Sequence, residues 1–369
     1  MPRRPISFAD ASQSLMDAAM DPLRWDDAME TIAQYAGANG ALLLQVKGRG
    51  PGAPRTRSSD EIHDVYFRDQ WHLRDERTRG LPFIKTKGVF ADQDFASREE
   101  LEKSDYYRGF LAKFDCNWSA VIGFENADDE WCLIIQRGDR GGLFDTEAQN
   151  DLVRLAPHLN QAALLARNLA WANATGMIDA YESVGCACFL LDHLGKVIRH
   201  NAPAQSLIGD GLDLWQGALK CSSPADNLAL TGLVAAIRHK TAQKLADPLP
   251  AVLAHRPPKR PLVIHGVGLS GLASAIFSPA KSILLVTDTE KRPSPTPADL
   301  LQKLFQLTLT EIALLSHLEQ EIPLPAAAGI MGISFETARS HLKRIFSKTG
   351  TSRQTDLLML IRRVHRGIG

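Results

Sequence analysis

The stretch "GISFETARSHLKRIFSKTG", Gly332 to Gly350, decides how the C-terminal end of this chain is read. Ser334 is a good helix N-cap. At 3.6 residues per turn, Ala338, Leu342, Ile345 and Thr349 fall on one side of the helix that follows. Glu336, Ser340, Lys343 and Ser347 centre on the opposite side, flanked by Arg339 and Arg344. Thr337 and Lys348 lie nearer the boundary between the two faces. From Ser334 onward there are eight Lys and Arg residues against two acids, Glu336 and Asp356, a local balance of +6. The whole chain has 42 Lys and Arg against 42 Asp and Glu, so a neutral protein has placed positive charge at one end.

Working outward, residues 304–366 break into four short helical pieces. The first spans Thr308 to Leu318, with Thr308 or Thr310 able to cap it. Pro323 and Pro325 interrupt the chain, and Pro325 suits the first position of a second helix carrying "AAAGIM". "GIS" is the turn before the third. The fourth begins near Arg353 and carries the stripe Leu357, Leu360, Ile361 and Val364.

This order resembles the LuxR-type helix-turn-helix family of bacterial transcription regulators. "LTLTE" (307–311), "GIS" (332–334), "TARSHL" (337–342), "IFSKTG" (345–350) and "SR" (352–353) fall at the family's spacing, over about one sixth of the chain. The departures are Glu321, where the family usually has glycine, Ala338 for the usual valine, and the two prolines. The resemblance implies an all-α domain that reads double-stranded DNA through Glu336, Thr337, Arg339, Ser340, Lys343, Arg344, Ser347 and Lys348. Arg and Lys on such a face can bond guanine edges or phosphates, and Ser either. A lone charged helix is most often a solvated face, but here the helix pair, the turn and the full motif stand together. In this family the last helix commonly pairs two copies, which implies a homodimer on two half-sites, with RNA polymerase as a further partner. The stripe at Leu357, Leu360, Ile361 and Val364 serves equally well as core.

The 369 residues are 44% hydrophobic and 23% charged, ordinary for a globular chain of two or three domains. "TEKRPSPTPAD" (289–299) reads as an extended tether, and "PLPAVLAHRPPKRP" (248–261) as a loop. Residues 1–165 read as helix, strand, helices, strands, helix. "GALLLQV" (40–46) suits a central strand, "CNWSAVIGFENADDEWCLIIQR" (116–137) a hairpin turning at "NADD", and the stretch from Asp145 one long helix with a kink at Pro157. Residues 180–290 read as a second small α/β unit. In it "CFLL" and "KVIRH" are strands joined by the turn "DHLG", and Asn201 caps a short helix. "LLDHLGKVIRHNA" resembles the opening of PAS domains. The first unit is similar to GAF-like sensor domains, through its strand–helix order and "DTEAQNDLVRLAPHL". The expected fold is therefore two α/β (α+β) sensor units with antiparallel sheets, followed by a four-helix unit over 300–369.

No catalytic constellation, Gly-rich phosphate loop, metal-ligand spacing or cofactor motif stands out. Cys186 and Cys188 sit two apart on a strand and read as structural cysteines. The five cysteines fit a reducing cytoplasm, the N-terminus carries no signal-peptide core, and the longest apolar run, "LALTGLVAAI", is too short to span a bilayer. One cluster invites a small-molecule ligand: Tyr66, Trp71 and Asp75 in "YFRDQWHLRDER", with Trp118 and Trp131 on the hairpin. It resembles the Tyr/Trp/Asp arrangement of autoinducer-binding domains, although Glu76 stands where that pattern has proline. The same aromatics also suit an ordinary core. The expectation is a cytoplasmic, non-enzymatic regulator that binds DNA under control of a signal. The rival is a signalling adaptor whose helical C-terminus docks on another protein.

Overall fold

The computed structural model describes residues 5–46, 52–126, 129–239, 249–269, 271, 275–290 and 296–366. The N-terminal helical stretch is two helices, α1 (Phe8–Met20) and α2 (Trp25–Tyr35). Ser7 and Asp10 form a capping box on α1, and Asp21 accepts from Leu23 N where Pro22 opens a 3-10 turn. The chain thus folds back, and Leu15, Met29 and Ile32 share one core.

After β1 (Gly40–Gln45) come α3 (Asp60–Arg68), α4 (Leu81–Lys87), β2 (Val89–Ala91) and α5 (Arg98–Lys103). The hairpin β3 (Trp118–Asn126) and β4 (Asp129–Arg137) then completes an antiparallel sheet in the order β1-β4-β3-β2. The hairpin pairs as far as Asn126 opposite Asp129, and the tip of "NADD" lies outside the described residues. β1 is an edge strand rather than a central one. Its apolar run is explained by its surroundings. Ala41 and Leu43 face the α1/α2 core, while Leu42 and Leu44 face a second cluster on the other side. The outer edge is filled by the returning chain, with Leu43 N donating to Pro54 O at 2.9 Å and Thr56 N to Ala41 O at 2.9 Å.

The long helix expected from Asp145 is two, α6 (Thr146–Val153) and α7 (Ala156–Ser183). They part at Arg154 and Leu155, and Pro157 sits in the first turn of α7, where its missing N–H costs nothing. α7 runs for 28 residues through the interval between the two expected sensor units. Leu159, Ala162, Ala163 and Ala166 belong to the first core, and Ala174 and Ile178 to a cluster with Cys188, Leu190 and Ile283.

That cluster lies on the second sheet, built from β5 (Ala187–Leu191), β6 (Val197–His200), β9 (Val252–Arg256), β10 (Lys259–Gly268) and β11 (Ser282–Asp288). Between them come α8 (Ala202–Gln205), the hairpin β7 (Leu212–Trp215) and β8 (Ala218–Cys221), and α9 (Pro224–His239). Its order is β6-β5-β11-β10-β9, antiparallel throughout. The turn at Asp192–Gly195 forms as expected: Asp192 Oδ1 accepts from Leu194 N and Lys196 N, both at 2.8 Å. Buried Asn201 caps α8 at Ala204 N (3.0 Å), accepts from Cys188 N (3.1 Å) and donates to Cys186 O (2.8 Å).

Residues 252–261, expected as loop, are instead β9 and the start of β10. Val252, Ala254 and Arg256 alternate inward while Leu253 and His255 face out. Pro257 and Pro258 take the turn, where no ladder donor is needed. Buried Arg256 ties the hairpin down through Asp210 (2.7 Å) and Asp288.

The remaining chain is helical: α10 (Ala298–Phe305), α11 (Leu309–Glu319), α12 (Leu324–Ile330), α13 (Phe335–Thr349) and α14 (Gln354–Arg366). α10 adds a helix to the four expected from the sequence. Of the expected tether, residues 291–295 lie outside the described residues. Its end is fixed, because buried Thr296 donates from Oγ1 to Glu319 Oε1 at 2.6 Å. Thr308 and Glu311 form a capping box on α11. Pro325 occupies the second position of α12, not the first. Glu321 has φ of 61°, in the left-handed region where glycine fits without strain.

Candidate nucleic-acid interface and buried pocket

α13 is positioned from within. Ser334 Oγ accepts from Thr337 N at 3.1 Å, closing the helix start. Ala338, Leu342 and Ile345 are buried in one cluster with Leu314, Leu315 and Leu318 of α11 and Ala327 and Ala328 of α12. Thr349, on the same side, is half-buried. With that side occupied, Glu336, Thr337, Arg339, Ser340, Lys343, Arg344, Ser347 and Lys348 are all exposed. Arg339 is loosely paired with Glu336 at 3.8 Å, a surface contact of little energetic weight. Lys348 differs from its neighbours. Its Nζ donates to Glu311 Oε2 at 2.7 Å and to Gln306 O at 2.9 Å, so it fastens α13 to the start of α11.

The stripe on α14 divides. Leu357 and Ile361 are fully buried in the same cluster and are core side chains of this chain. Leu360 and Val364 are half-buried, and Met359 beside Leu360 is exposed.

The five residues expected to hold a ligand do not converge. Tyr66 and Asp75 do: the Tyr66 hydroxyl donates to Asp75 Oδ2 at 2.7 Å. Trp71 stacks on Phe110 with ring centroids 5.1 Å apart and packs in the aromatic cluster that includes Tyr66. Trp118 is half-buried and lines a separate surface groove with Tyr107 and Arg108. Trp131 lies on the opposite face of the sheet, against Phe277 at 4.7 Å, because alternate residues of β4 face opposite sides.

Tyr66 and Asp75 instead line a cavity of about 30 Å³ between the sheet and α3. Leu42, Leu44 and Ile134 form its floor, and Tyr106, Phe110 and Leu111 part of its wall. Three further polar side chains enter it: His63 (3% exposed), Arg77 (5%) and Gln136 (2%). Both ring nitrogens of His63, Nε and one terminal nitrogen of Arg77, and Oε1 of Gln136 meet no hydrogen-bonding partner among the described residues. Burial pushes the His63 imidazole down to about 4, with Arg55 adding to the effect and Asp64 and Asp60 opposing it. Burial also opposes charge on Arg77, but Tyr106, Asp92, Tyr107 and Asp75 outweigh it and keep the guanidinium cationic. Asp92 lies 3.9 Å from Arg77 and accepts from the Tyr107 hydroxyl, Ser119 N and Ser119 Oγ. Its carboxyl is pushed up by burial, against the pull of Arg77 and these donors.

His63 and Tyr66 stand three apart on α3, and Ile134 and Gln136 two apart on β4, so each pair's common face was readable. Which face would be closed over by the chain from Asp75 to Leu111 was not.

No family model matches this chain, and no curated protein matches it. Among solved structures, it is similar to the ligand-binding domain of VqsR from Pseudomonas aeruginosa. The identity is 17% and the TM-score 0.32, over 42% of this chain and 93% of that one. It is also similar to phage VqmA in its complex with DPO (17%, TM-score 0.25, 52% and 87% covered). A third is the VqmA dimer of Vibrio cholerae, described as a LuxR-type receptor (15%, TM-score 0.19, 50% and 85% covered). At these scores the likeness is distant, and the chemistry of the site rests on its own residues. No helix among the described residues is long and apolar enough to cross a membrane.

Proposed function

We propose that the protein is a sequence-specific DNA-binding transcription regulator, with α12 and α13 as a helix-turn-helix and α13 as the helix that enters the major groove. What supports this most is the division of α13. Its apolar side is spent on α11 and α12, and a continuous polar side carrying three exposed cations, Arg339, Lys343 and Arg344, is left outward. A helix held by two others and presenting its polar face outward is the geometry that major-groove reading requires. The mechanism is binding: Arg and Lys neutralise phosphates or bond guanine edges, and Ser340 and Ser347 add short hydrogen-bonding groups. The first unit is the sensor, with the cavity at Tyr66, Asp75, His63, Arg77 and Gln136 as its ligand site. A ligand there alters DNA affinity only if it binds the two states of the protein unequally.

The test is selection of a bound sequence from a random duplex pool, followed by salt titration of the selected site. Binding is expected to weaken steeply as salt rises. Failure to enrich any sequence, with salt-insensitive capture of another protein through α13, would overturn the reading in favour of an adaptor.

A further inference from the structure

α13 carries one side chain that neither its packing nor its polar face explains. Phe335, its first residue, is 47% exposed. All 14 phenylalanines lie among the described residues, and Phe335 is the only one of them that is exposed. Single exposed apolar side chains are common on protein surfaces, so what counts is where this one stands. Its neighbours Ser334, Glu336 and Thr337 are polar and exposed. The helix does not call for a phenyl there. Ser334 closes its start, Ile333 packs against the core, and the first turn favours proline or an acid. Phe335 belongs neither to the buried cluster of this unit nor to the side chains packed on it.

Its place on the helix gives it a direction. Phe335, Arg339, Lys343 and Ser347 recur every four residues, so they form one ridge, and all four are exposed. The phenyl thus opens the row that carries two of the cations assigned to DNA reading. A recognition helix meets base edges through its N-terminal residues, so the first member of the ridge is placed to reach the floor of the groove. A phenyl has no donor for a phosphate or for a base acceptor. Of the groups that base pairs show in the major groove, the apolar one is the 5-methyl of thymine, and phenylalanine is among the side chains that suit it.

We infer that Phe335 is a specificity-determining residue, which selects thymine at one position for each α13 bound by covering its 5-methyl group. This assignment rests on the reading of α13 as the helix that enters the major groove. Burying one methyl group against the ring is worth about fourfold in affinity, the factor corresponding to about 0.8 kcal/mol. The contact is uncharged. It therefore adds preference for a base without adding to the salt dependence that Arg339 and Lys343 supply.

The test replaces each thymine of the selected duplex in turn by deoxyuridine, which lacks only that methyl. Affinity for every such duplex is then measured with the full chain and with its Phe335→Ala variant. One thymine per bound α13 is expected to matter: its replacement weakens the parent about fourfold and leaves Phe335→Ala unaffected. Phe335→Leu, which keeps an apolar side chain, is expected to retain part of the effect, and all three proteins to share one salt slope. The assignment is overturned if no deoxyuridine duplex binds the parent more weakly, or if the loss is the same in Phe335→Ala. It is overturned too if Phe335→Ala binds all duplexes as the parent does but loses capture of a protein, which would give the ring to that partner. The two levels remain distinguishable. A pool that yields no enriched sequence removes the recognition helix itself, whereas a salt-sensitive selected site whose thymine methyls are all silent removes only the role of Phe335.

Discussion

Lys348, near the end of α13, places its ammonium 2.7 Å from Glu311, in the first turn of α11, and the Glu311 side chain is only 2% exposed. Burial disfavours the Glu311 carboxylate, yet the bonds from Lys348 and from Thr308 more than offset it and hold the carboxyl below its usual range. The stability this carries is present above the unfolded-state pKa and is lost as pH falls through the lower folded value. Lys348→Met is expected to destabilise the helical unit by about 1–2 kcal/mol, below the value for a fully buried pair because the lysine is partly exposed. Chemical denaturation monitored by helix content checks this.

Arg339→Ala and Lys343→Ala are expected to behave in the opposite way. Both side chains are exposed, so melting stays within about 0.5 kcal/mol of the parent. Affinity for a selected duplex falls, and each cation that meets a phosphate removes about 0.9 from the salt slope. Gel-shift affinities unchanged in both variants would remove α13 as the reading helix.

The contrast with Lys348 shows where sequence reasoning reached and where it stopped. Helical periodicity separated the two faces of α13, since Ala338, Leu342 and Ile345 repeat at three and four residues and Ser334 marks the start. It could not tell that Lys348, on the rim, turns back to a partner 37 positions earlier. The pocket was harder for the same reason. Trp131 and Gln136 are five apart on one strand and so face opposite sides, but nothing local says which side the chain from Asp75 to Leu111 will cover. Arg256 and the prolines after it hid a hairpin, because proline and charge read as loop until Asp210 and Asp288 supply partners for the arginine.

His63 gives a pH dependence of defined sign. Its folded value, about 4, lies below the ordinary 6.5, so the unfolded chain binds the proton more readily. Stability is expected to decline as pH falls from about 6.5 toward 4, and His63→Gln is expected to flatten that part of the profile. Melting temperatures across this window, compared between the two proteins, provide the check.

Phe277, from the chain between β10 and β11, packs against Trp25, Phe124 and Trp131 at 5.2, 6.1 and 4.7 Å, inside the core of the first unit. Phe277→Ala is expected to cost about 3–5 kcal/mol. Because the lost contacts join the two sheets, calorimetry is expected to show one broad transition separating into two.

Asn201→Ala removes three hydrogen bonds at once, to Cys186 O, Cys188 N and Ala204 N. A loss of about 2–3 kcal/mol is expected, measured by denaturant titration. Asn201→Asp keeps the acceptor but not the donor to Cys186 O, and an intermediate loss is expected.

The continuity of α7 has a practical corollary for dissecting the chain. At 1.5 Å per residue its 28 residues make a beam of roughly 42 Å, with Leu159 to Ala166 seated in one core and Ala174 to Ile178 in the other. A truncation at residue 165 or 180, the natural places to cut by eye, saws through this beam or strips one core of its cover. Fragments that keep all of α7 retain a complete wall for whichever sheet they contain, so the helix belongs to both halves and can be assigned to neither.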